Sequence, residues 1–117
     1  MAESFGKTIR ELRKACGISQ RDLAERSGID FTYLSKIENE RMPPPAEPTI
    51  QVMAETLGAD ADELIRLAGK VPSDLAEFLV KDPHVIRFLR SVQGDISTRQ
   101  DWIEFIRKTE QHENEAG

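Results

Sequence analysis

Cysteine is almost absent from this sequence, and its scarcity excludes two kinds of protein. Cys16 is the single cysteine among 117 residues, so a scaffold built on intramolecular disulfides is excluded. The two histidines, His84 and His112, lie far apart in the chain with no second cysteine, and this spacing offers no set of zinc ligands. We therefore expect a protein that needs neither a metal nor any other cofactor.

Long apolar runs are missing as well. No stretch approaches the ~20 apolar residues that span a bilayer, and residues 1–10 lack the apolar centre of a secretory signal. These absences predict a soluble cytoplasmic protein that is not in a membrane. The length suits one domain, or a small domain with an appendage, and leaves no room for a large α/β enzyme.

The net charge of −5 is unevenly distributed along the chain. Residues 1–41 hold eight Lys or Arg against seven Asp or Glu, residues 42–72 hold two against five, and residues 73–117 hold six against nine. DNA phosphates favour basic surfaces, and the first third is the least acidic part. Charge alone does not decide whether a nucleic acid is a partner.

Short helices are predicted along nearly the whole chain, because strand alternation is absent and β-branched residues form no run of four or more. An apolar stripe predicts a first helix that ends near Gly17. Ser19 and Asp30 are suited to cap a second and a third helix, and Gly28 is suited to end the second. Two more helices are expected after the proline-rich connection at residues 42–48.

The last 45 residues predict a separate helical segment. Four of the seven aromatic residues lie in residues 73–117. This apolar surface must be buried against the chain's own first domain, a second copy of the chain or a protein partner. We expect a domain at residues 1–70 and a helical C-terminal extension at residues 71–117, with dimerisation as the favoured role of the extension.

The most informative stretch is residues 20–39, where two short predicted helices are joined by a tight turn. A steep crossing of two helices needs a small residue at their contact, which Ala24 supplies, and a residue that tolerates positive φ in the turn, which Gly28 supplies. Leu34 and Ile37 provide the apolar inner face of the second helix. This pattern resembles the helix-turn-helix of the phage repressor and Cro-like (XRE-type) DNA-binding proteins.

The resemblance covers about residues 5–67. It includes the approach to the motif at residues 9–20, a segment at residues 34–39 that is similar to the family's recognition helix, and residues 57–64, which look like its closing helix pair. It implies an all-α fold, in which a five-helix repressor-like helix-turn-helix domain is followed by the helical C-terminal extension.

The resemblance also implies which residues contact DNA. Four residues match the positions that face the bases in the major groove: Phe31, Thr32, Ser35 and Lys36. Lys36 would donate to guanine O6 or N7, and Thr32 can donate or accept at either type of base pair. Phe31 either presses on a thymine methyl group or packs as a partly buried aromatic residue, and the sequence leaves both alternatives open.

Further positions match the family's phosphate contacts and a structural ion pair. Three residues match the phosphate-contacting places: Gln20, Asn39 and Arg41. Arg13 and Glu38 match a pair that ties the first helix to the end of the third, although each could instead be a solvated surface charge. Many relatives carry glycine where this chain has Glu40, so we expect the third helix to end less sharply here.

Three functional hypotheses follow. The favoured one is a sequence-specific transcriptional regulator, a dimeric repressor that reads an inverted repeat in a double-stranded DNA operator and forms its homodimer through residues 73–117. The alternative is a DNA-binding antitoxin-type protein whose helical tail binds a toxin or protease partner. The enzyme hypothesis is rejected, because no catalytic triad or phosphate-binding glycine loop is present and Cys16 is expected in the core.

Overall fold

The computed structural model describes residues 4–116, and the side chains of residues 4–111. This part of the chain contains eight helices and no strand, which confirms the predicted all-α fold. The helices are α1 (Phe5–Ala15), α2 (Gln20–Ser27), α3 (Phe31–Glu38), α4 (Glu47–Leu57), α5 (Ala61–Leu67), α6 (Ser73–Val80), α7 (Pro83–Asp95) and α8 (Arg99–Ala116). None of the helices in the described range is both long and apolar enough to cross a membrane.

The helices divide into two compact units. The first unit ends at Leu75 and the second begins at Ala76, so the boundary lies inside α6. Helices α1–α5 enclose the core of the first unit, and every large, fully buried side chain between residues 4 and 111 belongs to them. These side chains are Ile9, Leu23, Leu34, Ile37, Ile50, Met53, Leu64 and Ile65.

The apolar stripe of α1 places Ile9 in this core but leaves Cys16 outside it. Cys16 is exposed, and its thiol donates to the carbonyl oxygen of Leu57 over 3.4 Å. The prediction that Cys16 is a core residue is therefore wrong. The physical reason is that the stripe leaves the core along α1: Ile9 is buried, Leu12 is half-buried, and Cys16, the cap that follows Ala15, is exposed.

Capping residues define α2 and α3 as the sequence predicted. The hydroxyl oxygen of Ser19 accepts from the Asp22 backbone N–H over 3.1 Å at the start of α2, and Asp30 caps α3 in the same way. Gly28 ends α2 with a φ of 69°, in the left-handed region where glycine avoids the clash of a Cβ atom. The tight turn between α2 and α3 is thus set by local chemistry.

The end of α3 is sharper than the sequence predicted. The Arg41 N–H donates to the Lys36 carbonyl over 2.8 Å, and the Glu40 N–H donates to the Ile37 carbonyl over 3.1 Å. This pair of bonds is the arrangement that usually closes a helix with a left-handed glycine. Here Glu40 takes the left-handed conformation itself, with a φ of 62°. The expectation of a less sharp end is wrong, because the backbone bonds impose the turn in spite of the side chain.

Helices α1 and α3 approach each other so closely that one position on α1 requires glycine. A Cβ atom added to Gly6 would lie 2.1 Å from the carbonyl oxygen of Ile37 and 3.2 Å from that of Glu38. The obstruction is backbone, which cannot move aside as a flexible side chain would. Gly6 therefore sets the distance between the start of α1 and the end of α3.

The second unit leaves most of its apolar side chains exposed. Val92 is its one buried residue among those whose side chains are described. A groove of about 400 Å³ runs beside Val92 and is lined chiefly by Ile86, Leu89, Ile96 and Trp102. The exposed large apolar side chains of this unit are Phe78, Val80, Ile86, Phe88, Leu89, Trp102, Ile103, Phe105 and Ile106.

Candidate nucleic-acid interface

One face of α3 is the candidate site. The described residues include no group of three His, Cys, Asp or Glu side chains that could hold a metal ion. Thr32, Ser35 and Lys36 are spaced three and four residues apart, so they share a face of the helix. Leu34 and Ile37 point the other way, into the core. Thr32 and Lys36 are exposed and Ser35 is half-buried.

The polar ends of this face are free to bind a ligand. Among the side chains that the structure describes, neither the Thr32 hydroxyl nor the Lys36 ammonium group makes a hydrogen bond or an ion pair. A lysine offers three donors and no acceptor, and a threonine hydroxyl both donates and accepts. The face therefore presents unused donors on a helix whose other side is anchored in the core.

A buried carboxylate holds α3 in place from behind. The side chain of Glu38 is fully buried, and that of Arg13 is 11% exposed. The Arg13 Nε donates to Glu38 Oε2 over 2.9 Å, and its Nη2 donates to Oε1 over 3.1 Å. Gln20 Nε2 donates to the same Oε1 over 2.9 Å. The structure thus brings together Arg13 and Glu38, and it adds Gln20, which the sequence suggested only as a phosphate contact.

This network connects three helices through one charge. A buried carboxylate is costly unless it is paired with a cation and its lone pairs accept hydrogen bonds. The bidentate contact from Arg13 supplies both the opposite charge and two hydrogen bonds. Arg13 also donates to the Ile18 carbonyl over 3.0 Å, just before α2. The end of α3 is therefore fixed relative to α1 and to the start of α2, which fixes the direction in which the exposed face of α3 points.

The residues matched to phosphate contacts differ in their surroundings. Gln20 uses one amide N–H for Glu38 and keeps a second. The carbonyl oxygen of the Asn39 side chain accepts from Arg10 Nη2 over 2.7 Å, so the two N–H donors of that amide are directed away from Arg10. Arg41 is exposed, and its guanidinium has no partner among the described side chains. Arg10 was not identified from the sequence, since only the folded chain places it beside Asn39.

Arg21 is a second residue that sequence reasoning missed. Its Cζ atom lies over the Phe31 ring, 5.0 Å from the ring centroid, and Phe31 is 39% exposed. The ring is therefore neither buried in the core nor fully free. No short-range sequence rule links two residues ten positions apart across a turn, so this contact had no signal before the fold was known.

Comparison with known proteins identifies the family. The sequence profile of the helix-turn-helix family matches residues 9–64. The HTH-type transcriptional regulator DdrOP3 of Deinococcus deserti is 35% identical over an alignment 115 positions long, which covers 82% of this chain and 88% of DdrOP3. This chain belongs to the helix-turn-helix family of transcriptional regulators. In this helix-turn-helix regulator, α2 and α3 are the two helices of the motif and Gly28 lies in its turn.

Other relatives of this helix-turn-helix regulator agree with the assignment. The HTH-type transcriptional repressor RghR of Bacillus subtilis is 35% identical over 69 residues, which cover 59% of this chain and 51% of RghR. The chain thus spans about half the length of that relative. A solved chain of the SinR protein/SinI protein complex is 20% identical, has a TM-score of 0.51, and aligns over 94% of this chain and 98% of that chain, which shows a shared fold.

Proposed function

We propose that the chain is a sequence-specific DNA-binding regulator, a dimeric repressor that inserts α3 into the major groove of double-stranded DNA. The observation that carries this proposal is the exposed polar face of α3, formed by Thr32, Ser35 and Lys36, on a helix held from behind by the buried Glu38. The major groove of B-DNA, about 12 Å wide, admits one α-helix. Repression is favoured by the relative RghR, which is named as a repressor, and the site of action is the cytoplasm.

Base recognition is assigned to the exposed face of α3. Lys36 donates to guanine O6 or N7, which are the acceptors that guanine presents in the major groove. Thr32 and Ser35 carry short hydroxyl groups that donate or accept and therefore contact either type of base pair. Because Lys36 is the longest of the three and carries the charge, it contributes the strongest preference for one base.

Phosphate contacts are assigned to the residues that flank this face. Gln20 at the start of α2 and Asn39 at the end of α3 each keep amide N–H donors that are not used inside the protein. Arg41 adds a charged donor beyond α3. Contacts of this kind fix the register of the protein on the duplex without distinguishing between sequences.

Dimerisation is assigned to residues 73–117. Among its side chains described up to residue 111, this segment buries only Val92 and exposes many large apolar groups, and such surface usually marks an interface. Trp102 and Phe105 meet edge to face, with ring centroids 6.4 Å apart, and with Ile106 they form our first choice for the two-fold contact. A two-fold dimer binds two half-sites one helical turn apart, about 34–36 Å, and so reads an inverted repeat.

Selection of bound duplexes from a random pool, with the full chain, tests the proposal. The expected result is one enriched inverted repeat with half-sites a helical turn apart. Enrichment of a single asymmetric site would contradict the dimer, and no enrichment at all would contradict sequence-specific binding. No DNA binding at any salt concentration would overturn the proposal as a whole.

Two substitutions then separate base contacts from phosphate contacts. Lys36→Ala should cost ~1–3 kcal/mol at the selected site and relax the preference for one base pair there. Arg41→Ala should weaken binding to all DNA sequences alike and make the slope of log affinity against log salt shallower by about one unit. A Lys36→Ala protein with unchanged site preference, beside an Arg41→Ala protein with altered preference, would show that the assignment is wrong.

A further inference from the structure

Arg21 differs from its neighbouring cations in what it contacts. Arg13 is paired with the buried Glu38, and Arg26, on the same helix as Arg21, lies 3.4 Å from Asp22. Arg21 has no hydrogen bond and no acidic partner among the described side chains. Within the part of the chain that the structure describes, its one specific contact is the ring of Phe31. The charge of Arg21 is therefore held in place without being neutralised.

Stacking on an aromatic ring leaves a guanidinium chemically ready for an anion. The attraction to the ring uses the face of the guanidinium, whereas its five N–H donors lie in the guanidinium plane. A planar fork of donors matches two oxygens of one phosphate group. Arg21, exposed at the start of α2, can therefore rest on Phe31 and still donate all of its N–H groups outward.

The stacked pair lies beside the face that we assign to base recognition. Phe31 is the first residue of α3 and directly precedes Thr32. When α3 enters the major groove, its first turn is close to the bases, and the groove is bordered on both sides by phosphates. A cation attached to the first ring of that helix is thus placed at the border of the groove, where the phosphates lie.

We propose that Arg21 is a further DNA-phosphate contact and that Phe31 is the positioning residue that holds it, instead of a reader of a thymine methyl group. This inference rests on the proposed DNA-binding function and decides between the two roles that the sequence left open for Phe31. It predicts that Phe31 affects DNA binding only by positioning Arg21 and makes no contact with a DNA base.

The first experiment measures the salt dependence of binding to a random-sequence duplex for the full chain and for Arg21→Gln. Loss of one phosphate contact makes the slope of log affinity against log salt shallower by about 0.9. The factor by which Arg21→Gln binds more weakly than the unaltered chain should therefore be roughly eightfold larger at about 0.1 M salt than at about 1 M. Arg26→Gln removes the same charge from the same helix without touching a ring, and it is the matched control. We expect its slope to stay closer to that of the unaltered chain.

The second experiment tests the role of Phe31. Phe31→Leu keeps an apolar side chain but removes the ring. As a single substitution it should weaken DNA binding severalfold. Added to Arg21→Gln, it should cause no further loss of affinity. The duplex that the full chain selects is then compared with its counterpart in which deoxyuridine replaces thymidine, which removes every thymine methyl group. We expect Phe31→Leu to change affinity for the two duplexes by the same factor.

The outcomes separate this inference from the function on which it rests. If the full chain binds DNA but Arg21→Gln and Arg26→Gln have equal slopes, the phosphate contact is wrong while the DNA-binding function stands. If removal of the methyl groups weakens DNA binding by the full chain but not by the Phe31→Leu variant, then Phe31 reads a methyl group and the positioning role is wrong. If the full chain binds no duplex, both proposals are overturned together.

Discussion

Glu40 carries backbone strain at the point where α3 ends. An L-residue in the left-handed region costs roughly 1–2 kcal/mol, because its Cβ atom crowds the following carbonyl oxygen. Glycine avoids this cost. Its larger conformational entropy in the unfolded chain, however, offsets part of the gain in stability. Glu40→Gly should therefore raise the free energy of unfolding by about 0.5–1 kcal/mol.

Chemical denaturation of the Glu40 variants checks this prediction. Glu40→Ala keeps the Cβ atom and the positive φ, so it should leave stability nearly unchanged and separates the strain from the loss of the charge. Equal stabilisation by glycine and alanine would show that the carboxylate, and not the backbone, was the unfavourable feature. Because the two backbone bonds from Glu40 and Arg41 already close the helix, α3 should keep its length in both variants.

At the level of the helices, the pairing of Arg13 with Glu38 should couple α1 to α3 strongly. Removing one partner of a buried pair leaves a charge uncompensated and costs ~3–5 kcal/mol, so we expect Glu38→Ala to destabilise far more than Glu40→Ala. The exposed pair of Asp22 and Arg26, on α2, should show a coupling of only ~0.3–0.5 kcal/mol.

Double-mutant cycles on the two pairs measure this difference. Each cycle compares two single substitutions with the double one, and the buried pair should give much the larger interaction energy. An interaction energy near zero between positions 13 and 38 would mean that the carboxylate is stabilised mainly by Gln20 or by Arg10, whose Nε lies 3.7 Å from Glu38 Oε1. Glu38→Gln, which keeps the shape of the side chain, reports how much of the effect depends on charge.

The start of α8 is expected to be sensitive to acid. Asp101 accepts from the backbone N–H groups of Ser97 and Thr98, each over 3.2 Å, and these bonds hold the pKa of its carboxyl group below the usual value of 3.8. A lowered pKa means that the carboxylate stabilises the folded form above pH 3.8, and that this contribution is lost as the pH falls through the folded-state pKa.

Helicity of the full chain, followed by circular dichroism during acid titration, checks this prediction. Asp101→Asn should be less stable than the unaltered chain at neutral pH, and the difference should vanish below the folded-state pKa of Asp101. Glu104→Gln removes a carboxylate from the same helix outside the cap and is the matched control. If the difference in stability between Asp101→Asn and the unaltered chain stayed constant as the pH was lowered, the cap would not depend on the charge of Asp101.

The helices themselves were predictable, whereas the contacts between them were only partly so. Ser19, Gly28 and Asp30 act on neighbouring backbone atoms, so their capping and turn roles follow from local sequence. Gly6 has no such local role, because the carbonyl oxygen that excludes a Cβ atom belongs to Ile37 on another helix. Contacts of this kind depend on how helices are packed, and periodicity does not specify them.

The same distinction applies to the candidate interface. The family resemblance suggested a pair between Arg13 and Glu38, which the fold brings into contact, since family positions carry three-dimensional information. The stacking of Arg21 on Phe31 and the contact of Gln20 with Glu38 were not foreseen, because they depend on side-chain directions in this particular chain. The sequence located the candidate interface, and the structure shows which contacts hold its helix in place.

For the whole molecule, the residues suited to contact DNA and those suited to contact protein lie in different parts of the chain. Residues 1–41 are nearly neutral, with eight bases against seven acids, whereas the remaining residues hold eight bases against fourteen acids. Phosphates repel the former far less than the latter, so on charge α1–α3 are the part of the chain better suited to face DNA. The second unit, with its exposed apolar side chains, is suited to bind protein.

Removal of the second unit should therefore separate DNA contact from dimerisation. A chain that ends at Leu75 keeps the whole core of the first unit, and it keeps Ser73, whose N–H and hydroxyl donate to Glu47 over 3.1 and 3.2 Å. We expect it to fold as a monomer. A monomer engages one half-site and loses the roughly 10²–10⁴-fold gain that a tethered second module provides.

Analytical sedimentation and gel-shift titration of the full and shortened chains measure both effects. Specific affinity of roughly 10⁻⁸ M or tighter should fall toward the non-specific range of about 10⁻⁴–10⁻⁶ M. Trp102→Ala combined with Phe105→Ala in the full chain should reproduce much of this loss without any truncation. A shortened chain that stays dimeric and binds its site undiminished would show that dimerisation lies in the first unit. The apolar face of α7 and α8 would then be left for a different protein, as in the antitoxin-type alternative.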